Sequence, residues 1–154
     1  MSTLLPFTKA VGTSDLASAF SEAAGRQPLD AQPQPFVTYF LLGHALELAW
    51  KSVLIAEGVT EKELRNIGHD LRAARDGAEV VLGKDQPSRG EVFHLTEMIA
   101  DYYSAKALEY LMTEYYSLPE AAQAASAVST YVRAVDDWIN NRVRERLRTG
   151  DSPD

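Results

Sequence analysis

Residues 36–57 form a long apolar segment, and this segment does most to limit what the chain can fold into. It reads FVTYFLLGHALELAWKSVLIAE, with neither proline nor a run of polar residues. On a helix of about six turns, its apolar residues fall on nearly every side. Such a helix has to be enclosed by other helices, because a surface helix keeps its apolar residues on one face. The segment therefore predicts the central helix of an all-α bundle.

The few polar residues of this helix lie on one side of it. At about 100° per residue, His44, Glu47 and Lys51 fall within roughly 60° of each other. Glu47 and Lys51 have the i, i+4 spacing of an ion pair, and His44 can donate to Glu47 from one turn away. Since an unpaired buried charge costs several kcal/mol, two interpretations remain. Either the three side chains satisfy one another, or they line a groove in which a ligand, a metal or a second chain completes their contacts.

Capping residues divide the rest of the chain into further helices. The predicted N-terminal caps are Ser14, Thr60 with Glu63, His69 or Asp70, and Ser88; the predicted C-terminal glycines are Gly25, Gly58, Gly68 and Gly83. A final helix is expected from Pro119 to about residue 148. We expect residues 1–35 to be a short N-terminal helix and a proline-rich linker packed on the bundle, 36–148 to be the bundle, and 149–154 to be a frayed tail.

Composition narrows the classes of function. The chain of 154 residues has 22 acidic and 15 basic residues, a formal charge of −7, which disfavours general coating of nucleic acid. Four arginines between 142 and 148 are an exception: they either complement a helix C-terminus or form a phosphate-binding patch. The absence of cysteine excludes disulfides and thiolate sites. With no signal sequence or membrane span expected, we predict a cytoplasmic protein.

A second polar cluster follows the central helix, at a predicted junction between two short helices. Arg65, Asn66, His69 and Asp70 occur within six residues. An imidazole beside an arginine is suited to acid–base cleavage of a phosphodiester, with the arginine stabilising the developing charge. The alternative is structural: His69 or Asp70 caps the next helix and Arg65 pairs with Asp70.

Two other patterns indicate packing or solvation more than chemistry. His94, Glu97 and Asp101 recur at helical spacing, but di-metal bundles use the order Glu-x-x-His with further glutamates, so we expect a solvated face and no metal site. The tyrosines of region 102–116 alternate with acidic residues, which favours core and interface packing over stacking on bases.

The segment GHALELAWKSVLIAEGVTEKELRNIGHDL resembles the HEPN (higher eukaryotes and prokaryotes nucleotide-binding) superfamily of helical proteins. The resemblance is carried by Ala45, Glu47, Lys51, Gly58 and the turn His69-Asp70-Leu71. It implies an up-and-down bundle of four to five helices, usually a homodimer. It also implies relatives that are toxin-like or defence ribonucleases, or partners of nucleotidyltransferases.

The ribonuclease members carry an arginine, four to six intervening residues and a histidine on a late helix. In this chain three residues separate Arg65 from His69, and both lie before the second long helix. We therefore expect an interaction or ligand-sensing module without a cofactor, in a toxin–antitoxin or defence setting, with a nucleotidyltransferase, an antitoxin, RNA or a nucleotide as partner. His44, Glu47, Lys51, Asn66 and Asp70 are the expected groove-lining residues. The alternatives are a divergent metal-independent endoribonuclease using Arg65 and His69, and a small-ligand or metal-binding bundle.

Overall fold

The computed structural model describes residues 5–28, 34–104 and 120–149, and this part of the chain is helical without any strand. Its helices are α1 (Leu5–Gly25), α2 (Gln34–Ala56), α3 (Glu61–Ile67), α4 (Leu71–Leu82), α5 (Arg89–Ser104) and α6 (Ala121–Thr149). The prediction of an all-α protein is confirmed. The specific four- to five-helix arrangement implied by the resemblance stays a prediction.

Helix α2 is the centre of the core, as its composition predicts. It packs against α1, α4, α5 and α6, and Leu42, Leu46, Trp50 and Val53 are completely buried. Trp50 donates a hydrogen bond from its indole N–H to the Tyr131 hydroxyl of α6, at 2.9 Å. By length and hydropathy alone the segment Phe36–Ala56 is able to cross a membrane, but 67 % of its most apolar window is buried inside the protein. This burial is what a core helix requires.

Helix α1 is longer than predicted, and the predicted start at Ser14 is wrong. The helix begins at Leu5, with Pro6 in the first turn, where a missing N–H costs little. Ser14 lies inside the helix, is 1 % exposed, and donates from Oγ to Asp136 Oδ1 of α6 at 2.7 Å. It therefore joins two helices instead of capping one.

The turns on either side of α3 follow the predicted caps. Gly58 adopts φ 87°, and the N–H of Val59 donates to the carbonyl of Leu54, a Schellman termination of α2. Thr60 and Glu63 form the reciprocal capping box of α3, and Gly68 ends that helix with φ 56°.

Helices α4 to α6 complete the described part. Asp70 caps α4 by accepting from the N–H of Ala73, and Gly83 ends it with φ 75°. Ser88, the expected cap of α5, has φ 58° where an N-cap residue is normally extended. The predicted continuation of α5 to Pro119 and the residues from 150 onward lie outside the described residues.

The apolar stripe predicted for the last helix faces the core. Its members are buried or partly buried: Ala121, Ala125, Val128, Val132, Val135, Ile139 and Val143. Of the C-terminal arginines, Arg142 donates to both carboxylate oxygens of Glu57, at 3.0 and 3.3 Å. At least this arginine therefore holds α6 against the end of α2 instead of belonging to a free phosphate-binding patch.

Candidate functional site

The candidate site is built around one buried carboxylate, that of Glu47, which is 3 % exposed. Lys51 Nζ donates to its Oε1 at 2.5 Å. The Tyr103 hydroxyl donates to Oε2 at 2.5 Å, and His69 Nδ1 lies 3.1 Å from the same oxygen. Three donors from three parts of the chain thus surround one charge, which is what a buried carboxylate needs to remain ionised.

Local structure explains why these groups meet. Glu47 and Lys51 lie one turn apart on α2, and Lys51 Nζ also donates to the carbonyl of Gly68 at 2.6 Å. This bond fixes the turn between α3 and α4, where Asp70 begins the next helix. His69, between the terminating glycine and the capping aspartate, is thereby directed back toward α2.

His44 joins the same network from the other side. Its Nδ1 lies 2.7 Å from the Tyr103 hydroxyl but 3.9 Å from Glu47 Oε2, so its direct hydrogen bond is with the tyrosine and not with the glutamate as predicted. The ring packs edge-on against Phe20 of α1 at 4.4 Å and stacks on Phe40 at 6.0 Å between centroids. His44 therefore links α1, α2 and α5.

A glycine makes the approach of Tyr103 possible. A Cβ atom added to Gly43 would lie 2.7 Å from Cδ2 and 3.0 Å from Cε2 of the Tyr103 ring. The first distance is shorter than real Cβ atoms show and the second is tighter than most, so a larger residue at this position would require the tyrosine ring to shift away from Glu47. Gly43 thus serves as the close-contact point between α2 and α5.

The charges of the site follow from its hydrogen bonds. Burial alone raises the pKa of the Glu47 carboxyl, but the hydrogen bonds from Lys51, Tyr103 and His69 outweigh it and bring the pKa below its ordinary value. Burial lowers the pKa of the His44 imidazole, against the attraction of Glu47, so His44 is neutral at neutral pH.

An ionised Glu47 fixes the protons on both histidines. The carboxylate only accepts, so the single hydroxyl proton of Tyr103 points to it, and the hydroxyl oxygen must accept from His44 Nδ1–H. By the same argument His69 donates its Nδ1–H to Glu47. In each ring the opposite nitrogen, Nε2, is left as the site that can accept a proton or a hydrogen bond.

The two histidines differ in how far they can reach a ligand. The side chain of His69 is 52 % exposed, whereas that of His44 is 27 % exposed and lies between phenylalanines. His69 is therefore the member of the network that meets solvent. An imidazole held at Nδ1 by a buried carboxylate, with half of its side chain exposed, can bind a hydrogen-bond donor at Nε2.

The structure brings together four of the predicted site residues: His44, Glu47, Lys51 and His69. Asp70 caps α4 and does not pair with Arg65. Arg65 and Asn66 are exposed on α3, and among the described residues Arg65 makes neither a hydrogen bond nor an ion pair. Arg65 and His69 are thus both exposed but do not contact each other.

Sequence reasoning missed Tyr103 as a member of the site. The sequence pattern predicts only a packing role for the tyrosines of region 102–116, and 56 residues separate Tyr103 from Glu47. No local pattern marks it. The available signal was a requirement, namely that a buried glutamate with one lysine needs further donors, and a tyrosine on a neighbouring core helix can supply one.

The other predicted cluster has a structural role. Glu97 accepts from Arg72 and Arg75, at 2.9 and 2.6 Å, and Asp101 accepts from Arg72 at 2.7 Å, while His94 is exposed. These bonds join α4 to α5. Within the described residues, no group of three or more histidine and carboxylate side chains is arranged to hold a metal ion.

Comparisons of the chain were made with protein-family models, with curated proteins and with solved structures. None of the three gives a match.

Proposed function

We propose that this chain is a HEPN-like helical module that works as a homodimer and binds a partner or ligand at the surface around His69. The observation that carries the proposal is the fixed imidazole: Nδ1 is bound to buried Glu47, and the ring is half exposed. A fixed, partly exposed ring is already oriented for binding, so little conformational entropy is lost when a ligand contacts it.

Binding fits these contacts better than catalysis does. Lys51 already donates to Glu47 and to the carbonyl of Gly68, and Tyr103 is engaged on both sides. These groups are therefore occupied by contacts within the protein and are not directed at a substrate. A phosphodiester cleavage site needs a second group beside the imidazole, and Arg65 makes no contact with it.

The chemistry of the surrounding surface indicates the kind of ligand. Arg65 and Asn66 are exposed on α3 next to the turn that carries His69. A guanidinium, an amide and an imidazole together suit an anionic group, such as the phosphate of a nucleotide or RNA or a carboxylate on a partner protein. The HEPN resemblance adds a nucleotidyltransferase or an antitoxin in a toxin–antitoxin or defence setting.

Histidine NMR tests the proposed binding surface. The ring nitrogens of the ¹⁵N-labelled chain are observed while adenosine monophosphate and then a short single-stranded RNA are added. We expect the His69 resonances to shift with saturation and His69→Gln to remove the binding. His94→Gln, which changes an exposed histidine on α5, is the matched control. Unchanged His69 resonances with both probes, or equal binding by the His69→Gln chain, would contradict a nucleotide-binding surface here.

One observation favours a second candidate, a divergent metal-independent endoribonuclease. An imidazole oriented by a buried carboxylate is the arrangement of a general base, and Arg65 lies four residues before it in the chain. RNA cleavage in the presence of a metal chelator tests it. His69→Ala should lower the rate roughly 10²- to 10⁴-fold, and Arg65→Ala should also lower it, while His94→Ala should not. Absence of cleavage by the unaltered chain would remove this candidate.

The homodimer is tested separately by sedimentation equilibrium. The expected mass is twice the 17.0 kDa of one chain. A single species of 17.0 kDa at all concentrations would contradict the dimer without affecting the assignment of the His69 surface.

A further inference from the structure

A polar groove between α1 and α6 lies apart from the Glu47 network. Its volume is about 240 Å³, roughly eight times the share of one water molecule in the liquid. Three serines, two carboxylates and one guanidinium contribute to it: Ser18, Ser21, Ser129, Glu22, Asp136 and Arg133.

The floor of the groove contains an unsatisfied hydroxyl. Ser21 is 5 % exposed, and its Oγ has no hydrogen-bond partner in the described part of the chain. A serine inside a helix normally donates to the carbonyl one turn earlier or reaches a neighbouring group. Ser14, two turns earlier on α1, does the latter by donating to Asp136. Ser21 lines the groove but lacks such a partner, and its Oγ is covered by the protein, with less than 1 Å² accessible. A change of its χ1 rotamer would turn the hydroxyl toward a molecule seated in the groove, which would supply the partner.

Charges of both signs surround this floor. Arg133 is exposed and, among the described residues, makes no ion pair or hydrogen bond. Asp136 accepts one hydrogen bond at each oxygen, from Ser14 and Asn140, and each oxygen keeps further acceptor capacity. Glu22 is exposed at the rim, where its only ion pair within the described residues is with Arg26 at 3.6 Å.

We propose that this groove binds a free α-amino acid. Its carboxylate would pair with the guanidinium of Arg133, which suits the bidentate geometry of a carboxylate. Its ammonium group would lie toward Asp136 and Glu22, and Ser21 Oγ, after this change of rotamer, would donate to the carboxylate from the floor.

Other small ligands fit this set of groups less well. A simple anion would meet the two carboxylates, and a metal cation would meet the guanidinium. A neutral polyol would leave the charges unpaired. A zwitterion satisfies both signs at once, and a groove with room for roughly eight water molecules suits a small amino acid. The inference is independent of the His69 surface, because none of the groove residues belongs to the Glu47 network.

A thermal-shift screen of the full chain with the twenty L-amino acids, each up to roughly 10 mM, is the first test. At least one should raise the melting temperature in a saturable manner, and calorimetry should then give its Kd. The N-acetyl derivative and the amide of that amino acid each lack one charge and should bind at least about tenfold more weakly. The proposal is overturned if no amino acid stabilises the chain. It is also overturned if both derivatives bind as tightly as the amino acid itself.

Variants then locate the site. Arg133→Gln should weaken binding roughly 10- to 100-fold, and Glu22→Gln by a smaller factor, because Glu22 is at the rim. Arg144→Gln, which removes an exposed arginine from the same helix, is the matched control and should not change the Kd.

Ser21→Ala tests the floor. The substitution should weaken binding of the amino acid. It should not lower the stability of the free chain, because the hydroxyl that it removes has no partner in the free chain. Equal affinity in Arg133→Gln and Arg144→Gln would show that the amino acid binds elsewhere, which overturns the assignment of the groove.

Discussion

At the scale of single residues, Glu47 determines the character of the site. A carboxylate that is 3 % exposed would be strongly unfavourable alone, and here it accepts from Lys51, His69 and Tyr103. The three donors come from α2, from the turn before α4 and from α5. The charge therefore joins three parts of the fold, and the loss of any one donor should change what the other two contribute to stability.

Tyr103→Phe tests this coupling, since it removes one hydroxyl and keeps the ring. We expect a loss of about 1–3 kcal/mol in unfolding free energy, because both Glu47 and His44 lose a partner inside the protein. The measurement is urea unfolding of Tyr103→Phe, Glu47→Gln and the double variant. The two losses should be less than additive by more than about 0.5 kcal/mol. Strictly additive losses would show that the hydroxyl and the carboxylate do not depend on each other.

The residues of the site could be predicted only in part. The Glu47–Lys51 pair follows from i, i+4 spacing and is present. Proximity of His69 to this pair was not predicted, because it depends on how the α3–α4 turn packs back onto α2. Tyr103 depends on the packing of α5 and on the missing side chain of Gly43. Sequence spacing describes contacts within one helix, whereas these contacts arise between helices.

At the scale of elements, the same distinction separates the helix ends that were predicted from those that were not. The caps at Gly58, Thr60, Asp70 and Gly83 use bonds within a few residues, so the sequence reveals them. The predicted start of α1 is wrong because serine is a common capping residue, whereas the hydrogen-bond partner of Ser14 is Asp136, 122 residues away. A local pattern cannot distinguish a serine that caps from one that bridges two helices.

Helices α4 and α5 are joined by ion pairs, whereas the sequence pattern predicts only a solvated face for the acidic residues of α5. Arg75 is 8 % exposed, lies 4.5 Å over the ring of Phe93, and donates to Asp76 and Glu97. Glu97 also accepts from Arg72. One exposed carboxylate thus serves a buried guanidinium and a second arginine of the same helix.

Glu97→Gln should therefore destabilise the chain more than an ordinary surface substitution. We expect a loss on the order of 1 kcal/mol: Arg75 keeps Asp76 as a partner, but both arginines lose a charged acceptor. Glu91→Gln, on an exposed position of the same helix, is the control and should change the stability by less than about 0.5 kcal/mol. Equal effects of the two substitutions in urea unfolding would mean that these ion pairs do not hold α4 to α5.

At the scale of the whole molecule, the buried network makes global stability depend on pH. The pKa of Glu47 lies below its ordinary 4.5 in the folded chain, and burial holds the pKa of His44 below its ordinary 6.5. At both positions the unfolded chain binds the proton more readily than the folded chain does. Each group thus stabilises the fold above its ordinary pKa, and this stabilisation is lost as pH falls toward the folded value.

Two variants separate these contributions in urea unfolding measured between about pH 7 and pH 3. The excess stability of the unaltered chain over His44→Gln should shrink as pH falls below 6.5, because only the unaltered chain loses the contribution of a neutral imidazole. Its excess over Glu47→Gln should shrink below 4.5, where the carboxylate is lost through protonation. If Glu47→Gln does not fold, the His44→Gln comparison still applies, because Gln retains a donor for Tyr103. If the difference in unfolding free energy between the unaltered chain and His44→Gln stays constant with pH, His44 takes up a proton equally readily in the folded and unfolded chains. That result would contradict its burial between Phe20 and Phe40.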